Sequence, residues 1–381
     1  MIRPEARGIV WDLRPVKNKD GEPVSSARPL DLLAPMSTHL NTKLLRAELK
    51  DFPDQEVLSM LLEGAQLKAD IPSQIAILPH LSSLSYGYES VQEELLKMHD
   101  RGWYEFHRDI PFCPWRALPQ GSTSRKYEPD RHRRTTDGGA PRHIIKDNGG
   151  TEVTPINVAC HGGEGVTPIK KSPYWPKEWK PSLLQLMHDI NIILYAAINV
   201  FKEFVYSGTD DVFSFFNQIK LAPSEIWKTG LHWCNLTQDP APWGTFVVEK
   251  VLGFGLSPNS NIAQRFANAI VYMFCNRFDL IEEPMLSQEK NPAIRSWIEA
   301  RRSLGPTQCR LYIIKMYTDD VKFVVVGTQR LIRFLRCWDN LVKELGLIMA
   351  IAKKRQLGCA SSWLGFLPCP MMALVAIPRE K

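Results

Sequence analysis

The segment Tyr317-Thr318-Asp319-Asp320 lies between two apolar, β-rich runs, Leu311–Met316 and Val321–Val326, and it constrains this chain more than any other stretch. Such runs on either side of a short polar break read as the two strands of a hairpin. Asp319 and Asp320 then stand at its tip. Carboxylates that close repel one another unless a cation lies between them, and oxygen ligands on a rigid turn suit a hard divalent ion. Taken alone, the pair is as readily a solvated acidic turn, because Asp is a favoured turn residue. A second carboxylate site shifts the balance. Asp211 opens the stretch Asp211-Val212-Phe213-Ser214-Phe215-Phe216-Asn217-Gln218-Ile219, where a strand should end and a helical turn begin. By itself Asp211 reads as a helix N-cap. Metal-dependent phosphoryl transfer, however, needs two ions about 3.5–4 Å apart. Two aspartates from a hairpin and a third from a neighbouring strand supply such a cradle.

A chain of 381 residues with 44% hydrophobic and 10% aromatic content can bury a substantial core and is not disordered in composition. Its net charge of +6 is compatible with a nucleic-acid partner without requiring one. The excess is concentrated: between Arg116 and Lys146 there are eight Lys and Arg against three acids, Glu128, Asp130 and Asp137. Arg131, Arg134 and Arg142 are equally well read as solvated loop charges. The eight cysteines show no CxxC pair, the usage of reduced thiols in an intracellular protein of cytoplasm or nucleus. No signal peptide is read at the N-terminus, and no run of 18 apolar residues predicts a membrane span.

Three segments are expected: a lead-in of unknown role over 1–90, a Pro-, Gly- and charge-rich region over 91–180, and a regular region over 181–381. The first 50 residues read as irregular and extended. A short helix over Asp54–Leu62 should end at Gly64, and Ser90–Glu93 forms a capping box that opens a helix stopped by Gly102. Ser182 caps an apolar-striped helix running to Phe201, and a strand around Glu203–Tyr206 leads to Asp210-Asp211. A further helix follows Pro258 to about Phe278. Another starts at Gly327-Thr328 and closes at Gly346. The pattern predicts an α+β fold, an antiparallel sheet with helices packed on one face.

Taken in order, these motifs resemble the reverse transcriptases of retroelements, most closely the divergent eukaryotic retrotransposon type, over residues 120–381. Asp211 with Phe216, Gln218 and Ile219 is similar to the first catalytic motif. Phe254-Gly255-Leu256-Ser257, followed by Gln264, resembles the motif that supports template and incoming base. Tyr317–Asp320 matches the Y-x-D-D box. Gly346-Leu347 with Lys353 resembles the next motif, and Trp363-Leu364-Gly365-Phe366, with Ile377-Pro378 and Lys381 behind it, resembles the primer-gripping hairpin. Lys126 and Arg133 stand before Asp137 at the spacing of the fingers-loop pair. The chain departs from the family at Thr318, where Val, Ala, Ile or Met is usual. It departs again at Ser260, where Pro is usual, and at Ala263, where an aromatic is usual.

The resemblance implies a right-hand polymerase, fingers over 91–180 and a ferredoxin-like antiparallel palm over 181–381, with no thumb read beyond the primer grip. It implies RNA-directed DNA synthesis: transfer of dNTPs to a primer 3′-OH on an RNA or DNA template. Asp211, the Val212 carbonyl, Asp319 and Asp320 would hold two Mg²⁺ ions, with Mn²⁺ as a substitute. Lys126 and Arg133 would neutralise the triphosphate, with Gly255 and Gln264 at the nucleotide. Lys353 or its neighbour Lys354 would protonate the leaving pyrophosphate. Tyr317, Trp363 and Gly365 would contact primer and template. Phe216 stands where RNA-dependent RNA polymerases carry an Asp for the ribose 2′-OH, so its ring favours deoxynucleotides. Two alternatives stay open: an RNA polymerase of the same palm, and an inactive, truncated remnant that binds nucleic acid. Other domains of a larger polyprotein are expected partners, and no membrane.

Overall fold

The computed structural model describes residues 9–11, 38–68, 75–77, 88–107, 116–117, 120–123, 152–155, 178–233, 246–253, 257–351 and 355–377. Packing divides the chain into two discontinuous units. One comprises 39–62, 176–218 and 261–381, the other 1–38, 63–175 and 219–260. Neither follows the three continuous segments expected from composition.

The first unit is built on four strands: β1 (Val205–Asp211), β2 (Tyr312–Tyr317), β3 (Asp320–Val326) and β4 (Gln356–Gly358). They form an antiparallel sheet in the order β2-β3-β1-β4. Between them run α1 (Ser257–Ser287), α2 (Pro292–Arg302) and α3 (Thr328–Leu345). The β1-α1-β2-β3-α3-β4 succession with that strand order is the ferredoxin-like arrangement, and the fold is α+β with antiparallel sheets, as the pattern implied.

One face of the sheet carries the aromatic core. Phe323 of β3 packs on Phe334 of α3 with ring centroids 5.2 Å apart, and Phe334 lies 4.5 Å from Phe274 of α1. Tyr312 meets Phe278 edge-on at 4.8 Å. The other face is covered as well. The helix Leu183–Ala196, capped by the Ser182 hydroxyl and continued by a π-helical turn over Ala197–Phe201, buries Leu186, Ile190 and Ile193 against Val205, Ile313, Val324 and Val326. Helices therefore pack on both faces, which corrects the one-sided expectation. The reason is legible in β2 and β3 themselves. Their apolar runs are continuous rather than alternating, as strands buried on both sides must be. Over Leu183–Phe201 this helix is, by length and composition, apolar enough to cross a membrane, and a third of that stretch is buried in the fold.

Other boundaries also moved. A helix over Thr42–Glu48, its N-terminus held by the Asn41 side chain accepting from Leu44 N, lies inside the stretch expected to be irregular. It exists because Leu45 and Leu49 are fully buried. The helix after Asp54 spans Gln55–Glu63. β1 extends five residues past Tyr206 to reach Asp211. α1 continues through Pro284, well beyond Phe278. Gly346 closes α3 as expected, in the left-handed conformation at φ 77°.

In the second unit, the helix Tyr88–Asp100 starts two residues before Ser90, so the expected capping box lies within its first turn. Tyr104–His107 pairs with Phe246–Glu249, which also pairs with Leu231–His232. Glu249 is fully buried, accepts from the Tyr104 hydroxyl at 3.0 Å, and packs against Gly253, where a side chain would strike its carboxyl. Burial pushes its pKa up to about 8. Between the ordinary carboxylate range and that value the folded chain holds a proton that the unfolded chain has lost, so stability falls as pH rises through this window. Glu249→Gln should remove that dependence. Unfolding free energies from denaturant titrations at pH 5 and pH 8 should diverge between wild type and variant by up to about 1.4 kcal/mol per pH unit. Parallel pH profiles would contradict a neutral Glu249.

Candidate active site

Asp320 is the direct antiparallel partner of Asp211, as Val321 is of Asp210. Residues opposed in a ladder project to the same face, so the Asp211 and Asp320 side chains share one side of the sheet. Asp319 is tied to the same place through its backbone, its carbonyl accepting from Val212 N at 3.1 Å. Backbone pairing thus places Asp211, Asp319 and Asp320 side by side where β1 ends and β3 begins, and each is half-buried.

The tip is strained. Tyr317 pairs with Asp320, leaving Thr318 and Asp319 as a two-residue turn. Thr318 has φ 50°, a left-handed backbone that β-branched residues seldom adopt. Its neighbours hold it there. The Thr318 hydroxyl donates to the Tyr317 carbonyl at 2.7 Å and to Asp319 Oδ1 at 3.1 Å. Gln264, fully buried on α1, accepts from Thr318 N at 3.1 Å and donates to the Met316 carbonyl at 2.9 Å. The amide of Gln264, expected at the nucleotide, is therefore committed to the hairpin from beneath.

A second glutamine holds the turn that follows Asp211. Gln218 Oε1 accepts from Ile348 N at 2.9 Å, and its Nε2 donates to the carbonyls of Phe213 and Ile348. Phe213 N donates to the Ile348 carbonyl and Ala350 N to that of Asp211, so the segment after α3 is laced to the turn that follows Asp211. Within that turn Phe215, not Phe216, is the core residue. Phe215 is 1% exposed and stacks on Phe266 at 5.3 Å, while Phe216 stays half-buried.

Asp210 and Asp211 diverge because successive strand side chains alternate. Asp210 faces α3, where it accepts from its neighbour's own N–H, from Trp338 Nε1 at 3.1 Å and from Arg355 Nη2 at 2.8 Å. Arg355 also binds Asp339 at 2.6 Å. Asp210 is thus taken up in structural bonds, and of the two only Asp211 shares the face of Asp320. Sequence alone held no signal for Arg355, which lies 145 residues from its partner.

Tyr317 is half-buried, with Lys180 Nζ 5.8 Å from its ring centroid. Trp363 is 2% exposed and anchors in the core rather than presenting its ring to solvent. Its N–H and carbonyl pair with those of Phe366, closing a turn over Leu364 and Gly365 at φ 48° and 82°. Lys126, Arg133, Gly255 and Lys353 lie outside the described residues.

Among the described residues, no three His, Cys, Asp or Glu side chains form a ready-made metal cluster. Were Asp211, Asp319 and Asp320 to hold a metal, they would offer it carboxylate oxygen, which suits Mg²⁺ or Mn²⁺ better than softer metals.

No protein-family model matches the chain, and no curated protein sequence matches it. Among solved structures, it is similar to the foamy viral protease-reverse transcriptase in complex with dsDNA, at 14% identity and a TM-score of 0.45. The match covers 91% of this chain and 58% of that one. The same viral protein with an RNA/DNA hybrid gives 11% identity and a TM-score of 0.44, covering 93% and 38%. Telomerase from Candida albicans, in complex with a fragment of telomeric RNA, gives 8% and 0.36, covering 53% and 35%. This chain spans little more than half the length of the first of these proteins.

Proposed function

We propose that this chain is an RNA-directed DNA polymerase that adds deoxynucleotides to a primer 3′-OH paired to an RNA or DNA template. The observation that carries the reading is the register of the sheet, with Asp320 opposite Asp211 and the Asp319 carbonyl bound to Val212 N. It sets two motifs more than a hundred residues apart next to each other in the backbone, which supports reading them as one carboxylate site.

Asp211, Asp319 and Asp320, with the Val212 carbonyl, would hold two Mg²⁺ ions, which when bound supply Lewis-acid activation of a hydroxyl and neutralise charge on a transferring phosphoryl group. The residues of the chain do the rest. Gln264 and the Thr318 hydroxyl fix the Asp319 turn against its strain, and Gln218 fixes the turn after Asp211. Carboxylates on two rigid, cross-bonded turns hold their spacing without reorganising at the moment of reaction. Phe216, held half-buried beside a fully packed Phe215, would stand where the sugar C2′ must pass and exclude a hydroxyl there. Lys126 and Arg133 would take the β- and γ-phosphates, and Lys353 the proton of the leaving group.

Primer extension on an RNA template with dNTPs and with NTPs tests the reading. The wild-type chain should incorporate dNTPs and discriminate against NTPs. Phe216→Val should relax that discrimination about tenfold or more, with dNTP incorporation retained. Preferred NTP incorporation by wild type would favour an RNA polymerase, and unaltered discrimination in the variant would remove the gate from Phe216.

A further inference from the structure

Lys322 stands two residues after Asp320 on β3 and is fully buried. A lysine is almost never fully buried unless its charge is paired, yet among the described residues no carboxylate lies within ion-pair reach of it. Its ammonium is satisfied otherwise. Nζ donates to Ser207 Oγ at 2.7 Å, to Ser361 Oγ at 2.6 Å and to the Ser361 carbonyl at 2.9 Å. The two serine hydroxyls are also bonded to each other at 2.9 Å, and Ser207 and Ser361 are both buried. Three acceptors match the three donors of the ammonium. Burial pushes the pKa of Lys322 down to about 7.

This node joins three pieces of chain. Ser207 belongs to β1, the strand that ends in Asp211. Lys322 belongs to β3, which begins with Asp320. Ser361 belongs to the segment between β4 and the Trp363–Phe366 turn. Strand alternation puts Ser207, Lys322, Asp211 and Asp320 on one face of the sheet. A second tether runs parallel to the first, Trp363 Nε1 reaching the Asp320 carbonyl at 3.4 Å. An apolar side chain at 322 would continue the core of Val324 and Val326 at lower desolvation cost. What the lysine adds is direction: a set of donors that admits Ser361 in a single placement.

We propose that Lys322 is a positioning residue that fixes the Trp363–Phe366 turn relative to the carboxylates, and so sets where a primer terminus rests. This rests on the polymerase reading, because a primer terminus is what the turn would hold. The geometry makes Ser361 the partner through which Lys322 acts, and it assigns Lys322 no contact with substrate.

The test uses the full chain, with Lys322→Met, Ser361→Ala and Ser361→Thr, a primed RNA template and dNTPs. Lys322→Met should raise KM for primer–template about tenfold or more, leaving KM for dNTP and kcat at saturating primer–template near wild type. Ser361→Ala should do the same more weakly, and Ser361→Thr, which keeps the hydroxyl, should restore wild-type values. A merely structural lesion would lower kcat and thermal midpoint instead. Hydrogen exchange provides a readout independent of catalysis. The Trp363 and Phe366 amides, bonded across the turn at 2.7 and 2.9 Å, should exchange about tenfold faster in Lys322→Met. Those of the β2–β3 hairpin should keep their protection. Unchanged exchange at 363 and 366 overturns the proposal whether or not the chain polymerises. Faster exchange with an unchanged primer–template KM overturns it too. A wild-type chain that folds but incorporates nothing defeats the polymerase reading instead, and the primer-placing role with it, while the exchange arm still decides whether Lys322 holds the turn.

Discussion

Asp319→Asn should lower Mg²⁺-dependent dNTP incorporation by about 10³-fold or more, the rate equivalent of about 4 kcal/mol of lost transition-state stabilisation. The fold should survive. Asn keeps the Oδ1 that accepts from the Thr318 hydroxyl. The Asp319 carbonyl keeps its bond from Val212 N, and removing one of three like charges relieves repulsion. Circular dichroism and the thermal midpoint should therefore match wild type within a few degrees. This pairing of a lost activity with an intact fold separates a metal ligand from a structural acid. Asp210→Asn makes the contrast. It weakens a half-buried ion pair with Arg355, so its loss should register in stability before activity. If Asp319→Asn incorporates dNTPs at the wild-type rate, the metal assignment is wrong.

Gly208→Ala should be the most damaging single methyl group in the sheet. Gly208 lies opposite Phe323, whose ring fills the space a side chain at 208 would need, with the Gln356 carbonyl 2.9 Å away on the other side. Phe323 cannot retreat, because Phe334 lies 5.2 Å behind it and is itself locked to Phe274. Overpacking of this kind costs about 3 kcal/mol. It would also shift β1 against β3, the register that brings Asp211 opposite Asp320. Stability and activity should fall together, and Phe323→Leu should recover part of both in the double variant. Urea denaturation of the single and double variants measures the coupling. Additive losses would mean that the two positions do not share the space.

Features set by local chemistry were legible in the sequence. The hairpin, the Gly346 cap and the Ser182 cap are each written in a few neighbouring residues, and the β2–β3 pairing follows from the hairpin. Features set by contact across the chain were not. Thr318 bonds Gln264 over 54 residues, and Lys322 bonds Ser361 over 39. A lysine inside an apolar run gives notice that something unusual is buried, but not what receives it. The left-handed backbone at Thr318 is likewise invisible, since threonine is a residue one would not choose for it. The helix over Thr42–Glu48 escaped because a seven-residue helix has little stability of its own and forms through packing. Two-sided burial of the sheet could have been read from the continuous apolar runs of β2 and β3. The expectation of one covered face came from the alternation of strands and helices and from the hairpin, not from the apolar runs within the strands.

The most direct measurement is extension of a labelled primer on an RNA template by the purified 381-residue chain, with Mg²⁺ present and after chelation by EDTA. Template-directed dNTP addition that stops on chelation and returns with added Mg²⁺ is the expected result. A folded chain that adds nothing to any primed template, or that adds nucleotides undiminished in EDTA, would contradict the proposal that Asp211, Asp319 and Asp320 share a pair of ions.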